Sequence, residues 1–479
     1  MALNSVRSVI CSSARTVGAC TKFAELVNEL KPRENVLIQG WVQRSQTYRE
    51  KMFLKLNDGS SCHQIQAVVP RNVCKTLWVG SAIRLRGNWL PSIGTEQSME
   101  FMADECLFVG QPSEAPLIGD SDIMRQMPHL RPKSKAFSAT LRLRSHLTHL
   151  THRFFDTASF SYVDMPMISQ NDCEGAGEAF SIISGAKKDF FGTGVEQFLQ
   201  VSAQLHLEAV ASAIPRVYTL GPVFRADPGV GRSNMAEFRM LEVECAFMDS
   251  LEQLCAFVED FLKFVVQRTL EDERSVNEFR EYCTATIAAD GGEQKQSAIS
   301  NSKTPHKKIL IDFLAELLER PLPRVPFEEA LKIVSRPGDD RLTPLNRREE
   351  FALVDAFNGP LFVTHFPAKQ KPFYTRRSSG SHANDEQGQQ NETTESFDLL
   401  VPQVGELAGG SVREWEADKL VERLPPDSKL DWYVELRNRG YPRTAGFGLG
   451  MDRLMQALFG IPNIRDTIAF PRWCGHLRC

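Results

Sequence analysis

Residues 36–110 alternate apolar and polar side chains with a period of two, the spacing that sends successive residues to opposite faces of a strand. Five such runs follow one another: "VLIQGWVQRS", "KMFLKLNDG", "HQIQAVVP", "SAIRLRGNWL" and "MEFMADECLFVG". Turn-forming residues separate most of them, notably Asn57-Asp58-Gly59-Ser60. A short helix is expected between the third and fourth, from Asn72 to Val79. From Ala136 the period changes: "AFSATLRLRSHLTHLTHRFFDTASF" carries apolar residues at helical spacing. Helical and long strand-like runs mix through the rest of the chain.

Five short strands with one helical interruption predict a small β-barrel. It is of the oligonucleotide-binding type or another kind, which periodicity alone does not separate. The remainder predicts an α+β domain built on a mainly antiparallel sheet flanked by helices. Pro112, Pro116, Pro128 and Pro132 crowd the stretch between, which reads as a hinge. The expected division is 25–111 for the barrel, 112–134 for the hinge and 135–479 for the α+β domain. Segments 288–308 and 377–394 read as polar surface insertions, the second with a single alanine as its apolar content.

Composition narrows the class. A chain of 479 residues suits two or three domains, and 42% hydrophobic with 24% charged residues is ordinary for a soluble globular protein. A net charge of −4 excludes a uniformly basic nucleic-acid binder but leaves room for a local basic patch. No apolar run is long enough for a membrane span, so no membrane partner is expected. The 11 cysteines contain no C-x-x-C pair, so neither zinc nor a disulfide framework is expected. Residues 1–24 hold Arg7, Arg15 and Lys22, no acid, and many Ser and Ala. That is the composition of a transit peptide, so the mitochondrial matrix is the expected location. The alternative is an undirected N-terminus on a cytoplasmic protein.

Three stretches resist explanation by packing alone. "FSYVDMPMIS" (160–169) opens a strand at Val163 with Pro166 inside it, which implies an edge or an interface. "FRADPGVGRSNMAEFRMLEVE" (224–244) reads as a hairpin, with Arg225 and Asp227 on one face of its first strand. Phe238, Glu242 and Glu244 share a face of its second. Those charges suit either a solvated ion-paired face or a purine stacked on Phe238 with its phosphate on Arg225. "GFGLGMDRL" (446–454) places glycine at every second strand position ahead of a helix bearing Arg453. Such a strand admits another backbone or a flat ligand at close range.

In this order the three stretches resemble motifs 1, 2 and 3 of the class II aminoacyl-tRNA synthetases, over 136–168, 222–245 and 446–456. With a barrel ahead of them, they resemble the aspartate, asparagine and lysine subgroup. Further stretches resemble its asparagine-specific members: "DCEGAGEAF" (172–180), "FFGT" (190–193), "VSAQLHLE" (201–208), "GELAGGSVRE" (405–414) and "NIRDTIAFPR" (463–472). The resemblance implies ATP-dependent ligation of L-asparagine to tRNA(Asn) through an adenylate. Aspartate as substrate, or a non-catalytic nucleic-acid-binding protein, are the alternatives.

The resemblance also implies roles. Glu174 and Gln204 hold the substrate ammonium. Arg225 binds the α-phosphate and carboxylate, with Arg225, Glu406 and Arg453 as the catalytic set. Asp227 and Phe238 bind adenine with Arg453 on its other face, and Asp398 and Glu406 carry Mg²⁺. Glu242 and Arg413 read the side-chain amide, as acceptor and donor. Leu207 stands where aspartate-specific members carry lysine, and Glu242 where they carry Asp, which favours asparagine. In the barrel, Phe53 stacks on an anticodon base and Gln64 or Gln66 reads its edge; a core aromatic is the other reading of Phe53. Motif 1 around Pro166 forms a homodimer interface. The loop 228–234 departs from the family, with Ser233 and Asn234 in place of basic residues and Arg232 as its only cation.

Overall fold

Alternation in the first five runs produces the expected burial. Met52, Leu54 and Leu56 are buried, while Lys51, Phe53 and Lys55 between them are not. The strands are β1 (Arg33–Tyr48), β2 (Lys51–Asn57), β3 (Ile65–Pro70), β4 (Ala82–Pro91) and β5 (Met99–Gly110). They close into a barrel in the order β1-β2-β3-β5-β4. Its interior is filled by Ile38, Val42, Leu54, Leu56, Leu85 and Phe101 among others. The helix expected over Asn72–Val79 does not form. The amides of Val73 and Cys74 both bond the Pro70 carbonyl, making one turn, and Leu77 then drops into the barrel core.

This computed structural model describes residues 20–74, 76–94, 97–113, 121–170, 179–183, 190–192, 194, 196–229, 231–289, 317, 319–334, 343–378, 392–426 and 428–479. They divide into two compact units. The first holds the barrel within 1–124, together with 132–142 and 274–293. An ion pair joins the last two segments, and its acid also holds the barrel. Arg142 donates to Glu278 at 2.8 Å, and the same carboxylate accepts the Cys62 amide at 2.8 Å. The second unit holds 125–131, 143–273 and 294–479.

The second unit is built on an eight-stranded sheet in the order β11-β12-β13-β14-β15-β10-β9-β6. The strands are β6 (Ser161–Tyr162), β9 (Arg216–Phe224), β10 (Glu237–Ala246), β11 (Arg324–Pro326), β12 (Leu361–Thr364), β13 (Ser396–Val401), β14 (Gly405–Val412) and β15 (Thr444–Gly450). A separate pair joins β7 (Ile168–Ser169) to β8 (Phe198–Leu199). Only β11–β12 and β6–β9 pair in parallel, so the sheet is mainly antiparallel as expected. The helices used below are α1 (Lys135–Thr157), α2 (Gln204–Ala211), α3 (Leu251–Glu271), α4 (Glu273–Ala289), α5 (Arg347–Ala356), α6 (Asp431–Asn438) and α7 (Met451–Phe459). Ser250 caps α3 by accepting the Gln253 amide, and α3 buries Leu254, Val258, Phe261 and Val265 at helical spacing. α7 follows β15 directly and ends at Gly460, whose φ of +61° is the left-handed conformation glycine allows. Among the described residues, no helix is long and apolar enough to cross a membrane.

Two expected details shift. Pro166 lies in neither β6 nor β7, because a proline has no amide to give a ladder. Pairing of β9 stops at Phe224, so Arg225 and Asp227 sit in the loop beyond it instead of on a strand face. The insertions expected over 288–308 and 377–394 fall mostly outside the described residues. The roots of the second are ordered: Arg377 bridges Thr394, and Thr394 is fully buried.

Gly446 is opposite Glu244, and Gly448 is opposite Glu242. A Cβ on Gly446 would meet Glu244 Oε2 at 2.0 Å, the Val243 carbonyl at 2.2 Å and Arg413 Nη2 at 2.7 Å. The space left by this glycine is therefore taken by a buried ion pair. Gly446→Ala is expected to cost at least about 2 kcal/mol, by the order of magnitude for overpacking. Thermal unfolding checks it; a melting temperature within about 1 °C of wild type would show that the strands have room to yield.

Candidate active site

β-Sheet register places the chemistry in rows. Asp398, Gly409, Gly448, Glu242 and Thr219 are consecutive direct partners across β13, β14, β15, β10 and β9. Directly paired residues project from the same face, so two acids share a face with two glycines between them. The next row runs Ser411, Gly446, Glu244.

At one end of these rows lies a buried charge network. Arg413 donates through Nη2 to Glu244 at 2.9 Å, through Nε to both Glu244 oxygens at 3.2 and 3.3 Å, and through Nη1 to Ser411 at 2.7 Å. Its Nε is also 3.9 Å from Glu208. Glu208 projects from α2 and accepts from Arg437 (2.7 Å), Tyr433 (2.6 Å), Tyr441 (2.9 Å) and Gln204 (3.1 Å). Burial alone would raise the Glu208 carboxyl, yet Arg437, Arg413 and the hydroxyl and amide donors bring it below its ordinary value. Burial drives Glu244 the other way, up to about 7 against the pull of Arg413, and Glu208 adds to the rise. Arg413 itself is held more firmly charged by the two acids despite its burial.

Glu242 stands beside this network on β10 and is 3% exposed. Its carboxylate accepts the Ser202 hydroxyl at 2.5 Å and the Ala203 amide at 2.9 and 3.0 Å. Ala203 is the N-cap of α2, so the helix dipole also favours a negative charge there. Leu207, on another face of α2, packs with Ala211 and Val217 in an apolar cluster. No cation stands at that position.

Asp398, Glu406 and Arg453 form a second group. Arg453 Nη1 donates to the Glu406 carbonyl at 2.7 Å and lies 3.7 Å from its carboxylate. Lys371 donates to Asp398 at 2.6 Å. Burial raises the Asp398 carboxyl against the pull of Lys371, with Glu406 adding to the rise. A point one Cβ length above Gly409 is 3.3 Å from Asp398 Oδ1 and 3.6 Å from Glu406 Oε1, so both carboxylates border the same space. Among the described residues, no three His, Cys, Asp or Glu side chains converge as a ready-made metal cage. Two hard oxygen donors bordering one space suit a divalent cation that takes its remaining ligands from phosphates and water.

The rest of the predicted set is distributed as follows. Arg225 and Phe238 come together, with the guanidinium carbon 5.7 Å from the ring centroid. Asp227 accepts from the Gly229 amide at 2.7 Å and from Asn234, so it folds its own loop. Glu174 lies outside the described residues. In the barrel, Phe53 is half-buried on the outer face of β2 and outside the core, which sets aside the core reading. Gln66 projects beside it, opposite Lys55, and Gln64 precedes β3. Gln66 Nε2 donates to the buried Glu100 at 3.1 Å.

Several residues were missed by sequence reasoning. Glu208 carried a signal: it is four residues after Gln204 in the same helix, hence on the same face. Arg437, Tyr433 and Tyr441 carried none. Glu350 on α5 also went unnoticed. It accepts the Glu406 amide at 3.2 Å, and burial and Glu406 raise its carboxyl. Asp452 is a third case, accepting from Arg144 (2.6 Å), Thr467 (2.8 Å) and the Arg239 amide (3.0 Å). It thereby pins the start of α7, and with it Arg453.

The chain matches the family described as tRNA synthetases class II (D, K and N) over residues 120–474. It is 34% identical over 475 residues to an asparagine–tRNA ligase of Microcystis aeruginosa, covering 94% of this chain and 98% of that protein. It is 33% identical over 462 residues to a human asparaginyl-tRNA synthetase, covering 92% and 90%. Among solved structures, asparaginyl-tRNA synthetase from Pyrococcus horikoshii complexed with asparaginyl-adenylate superposes with a TM-score of 0.79 at 25% identity, covering 96% of this chain and 99% of that one.

Proposed function

The chain belongs to the class II tRNA synthetases of the D, K and N type, and on that premise we propose that it ligates asparagine to tRNA(Asn) in the mitochondrial matrix, with ATP and through an asparaginyl-adenylate. The observation that supports the choice of amino acid is that Glu242 shares a face of β10 with Glu244, the acid that Arg413 bonds from just beyond β14. An acceptor beside a donor is what a side-chain amide requires. A side-chain carboxylate would meet Glu242 as a like charge, and Leu207 offers it no cation.

In the first step an oxygen of the asparagine carboxylate attacks the α-phosphorus of ATP, and pyrophosphate leaves. Arg225 neutralises the charge that gathers on the α-phosphate, and Phe238 beneath it holds adenine. Arg453, anchored on Glu406, closes the nucleotide from the other side. Asp398 and Glu406 hold Mg²⁺, which when bound shields the phosphate charge. Gln204 and Glu174 hold the ammonium group. In the second step a terminal ribose hydroxyl of the tRNA displaces AMP from the adenylate. No protein side chain is needed as a nucleophile; the residues position and neutralise.

The barrel reads the anticodon with Phe53 as stacking platform and Gln64 or Gln66 on the base edge. Tyr162, Met167 and Ile168 around motif 1 are exposed apolar side chains, and a second copy of the chain is their partner in a homodimer.

Pyrophosphate exchange into ATP, measured separately with L-asparagine and L-aspartate, is expected with asparagine alone. Exchange with aspartate alone overturns the reading, and exchange with neither points to a non-catalytic relative. Glu242→Asp should lower the preference for asparagine by roughly ten-fold or more, the scale of a displaced polar contact in a buried site. Phe53→Ala should weaken tRNA binding by about 1–3 kcal/mol without changing exchange; equal binding would remove Phe53 from the interface. Residues 1–24 fused to a fluorescent reporter should direct it to mitochondria, and a diffuse cytoplasmic signal would reject the proposed address.

A further inference from the structure

We infer that Glu208 and Arg437 form a positioning pair that sets the electrostatic field around Arg413, and thereby the choice between a side-chain amide and a side-chain carboxylate. The inference rests on the function proposed above and concerns residues that would not touch the substrate. Both side chains are fully buried and 2.7 Å apart. Glu208 is anchored by Tyr433, Tyr441 and Gln204 as well, and Arg437 also donates to the Glu414 carbonyl at 3.1 Å. The guanidinium carbon of Arg437 is 3.9 Å from the Tyr433 ring centroid and 4.1 Å from that of Tyr441.

Stability does not explain such a pair, because a buried ion pair is often no more stabilising than apolar residues of the same volume. Its position does. Glu208 stands 3.9 Å from Arg413 yet is bonded to Arg437, so it leaves the hydrogen bonds of Arg413 to Glu244 and Ser411. Its charge still acts on Arg413 through a dry interior. A guanidinium facing two acids is a poor attractor for a third carboxylate and remains a good donor to a neutral amide oxygen. Removing the Glu208 charge would free the field of Arg413 and favour aspartate. With Glu208 still held ionised by Arg413, Tyr433 and Gln204, removing the Arg437 charge would do the opposite.

The two variants therefore have opposite expected signs. With the full-length enzyme, kcat/KM for pyrophosphate exchange is measured with asparagine and with aspartate, alongside thermal unfolding. Glu208→Gln, which keeps the shape, should lower the asparagine-to-aspartate ratio at least ten-fold, about the effect of one unit charge at a separation of several ångströms in a protein interior. Arg437→Gln should raise the ratio about three-fold or more. A purely structural role would slow both substrates alike. An unchanged ratio in folded Glu208→Gln, or a shift of both variants in one direction, overturns the inference. Should Glu208→Gln not fold, Arg437→Gln decides alone: a rise supports the pair, and a fall or no change rejects it. Failure of the wild-type enzyme to activate asparagine would instead reject the proposed function.

Discussion

Arg413 reaching across Gly446 to Glu244 is the contact around which the second unit's sheet is arranged. Taking a guanidinium and a carboxylate out of water costs several kcal/mol for each ion, and only good geometry offsets it. Here the guanidinium meets both oxygens of Glu244, and its remaining arm is held by Ser411. Three strands contribute: β10 the acid, β15 the glycine, and the end of β14 the arginine. A side chain at position 446 would occupy the space of the pair. The glycine that reads in sequence as room for a ligand is thus room for an ion pair.

Beside that pair the acids are separated by what backs them. Glu244 is answered by an arginine. Glu242 is answered by the hydroxyl of Ser202 and the amide at the start of α2, which are neutral donors. Asp398 is answered by Lys371, a flexible ammonium that also lies 3.8 Å from the Phe366 ring centroid. These backings differ in how readily they are exchanged. A bidentate guanidinium is rigid, whereas lysine offers a point charge on a flexible stem. One face of a sheet can in this way hold a fixed charge, a polar reader and an exchangeable cation site within one set of strand rows.

Much of the architecture was legible because it is local. A period of two marks β2, turn residues mark its ends, and the closed barrel follows from five such strands. The motifs were legible because glycine, arginine and aromatic residues recur at short spacings. What failed, failed for physical reasons. Asn72–Val79 is short and rich in weak helix formers (Asn72, Val73, Cys74, Thr76 and Val79), and Leu77 packs into the barrel core instead. Pro166 cannot join a ladder. The network of Glu208, Arg437 and Tyr441 joins side chains more than 220 positions apart, and no window along the chain connects them. Glu350 reads as an ordinary exposed helix acid until β14 is placed beside α5.

The loop between β9 and β10 shows the same principle from the other direction. In sequence its lack of basic residues looks like a weakened phosphate site. In the fold, Arg347 from α5 donates to Ser233, and Arg465 donates to the Gly231 carbonyl at 3.1 Å. The Ile464 amide holds the Arg232 carbonyl at 2.9 Å, while Asp227 ties Gly229 to Asn234. Positive charge absent from the loop is thus delivered to it by two elements over a hundred residues away. Arg347 and Glu350 share the first turn of α5, so the element that braces this loop also holds the backbone of Glu406. A field at a phosphate site depends on where charges stand, not on which segment carries them. Judged by position, the loop is less depleted of charge than its own seven residues suggest.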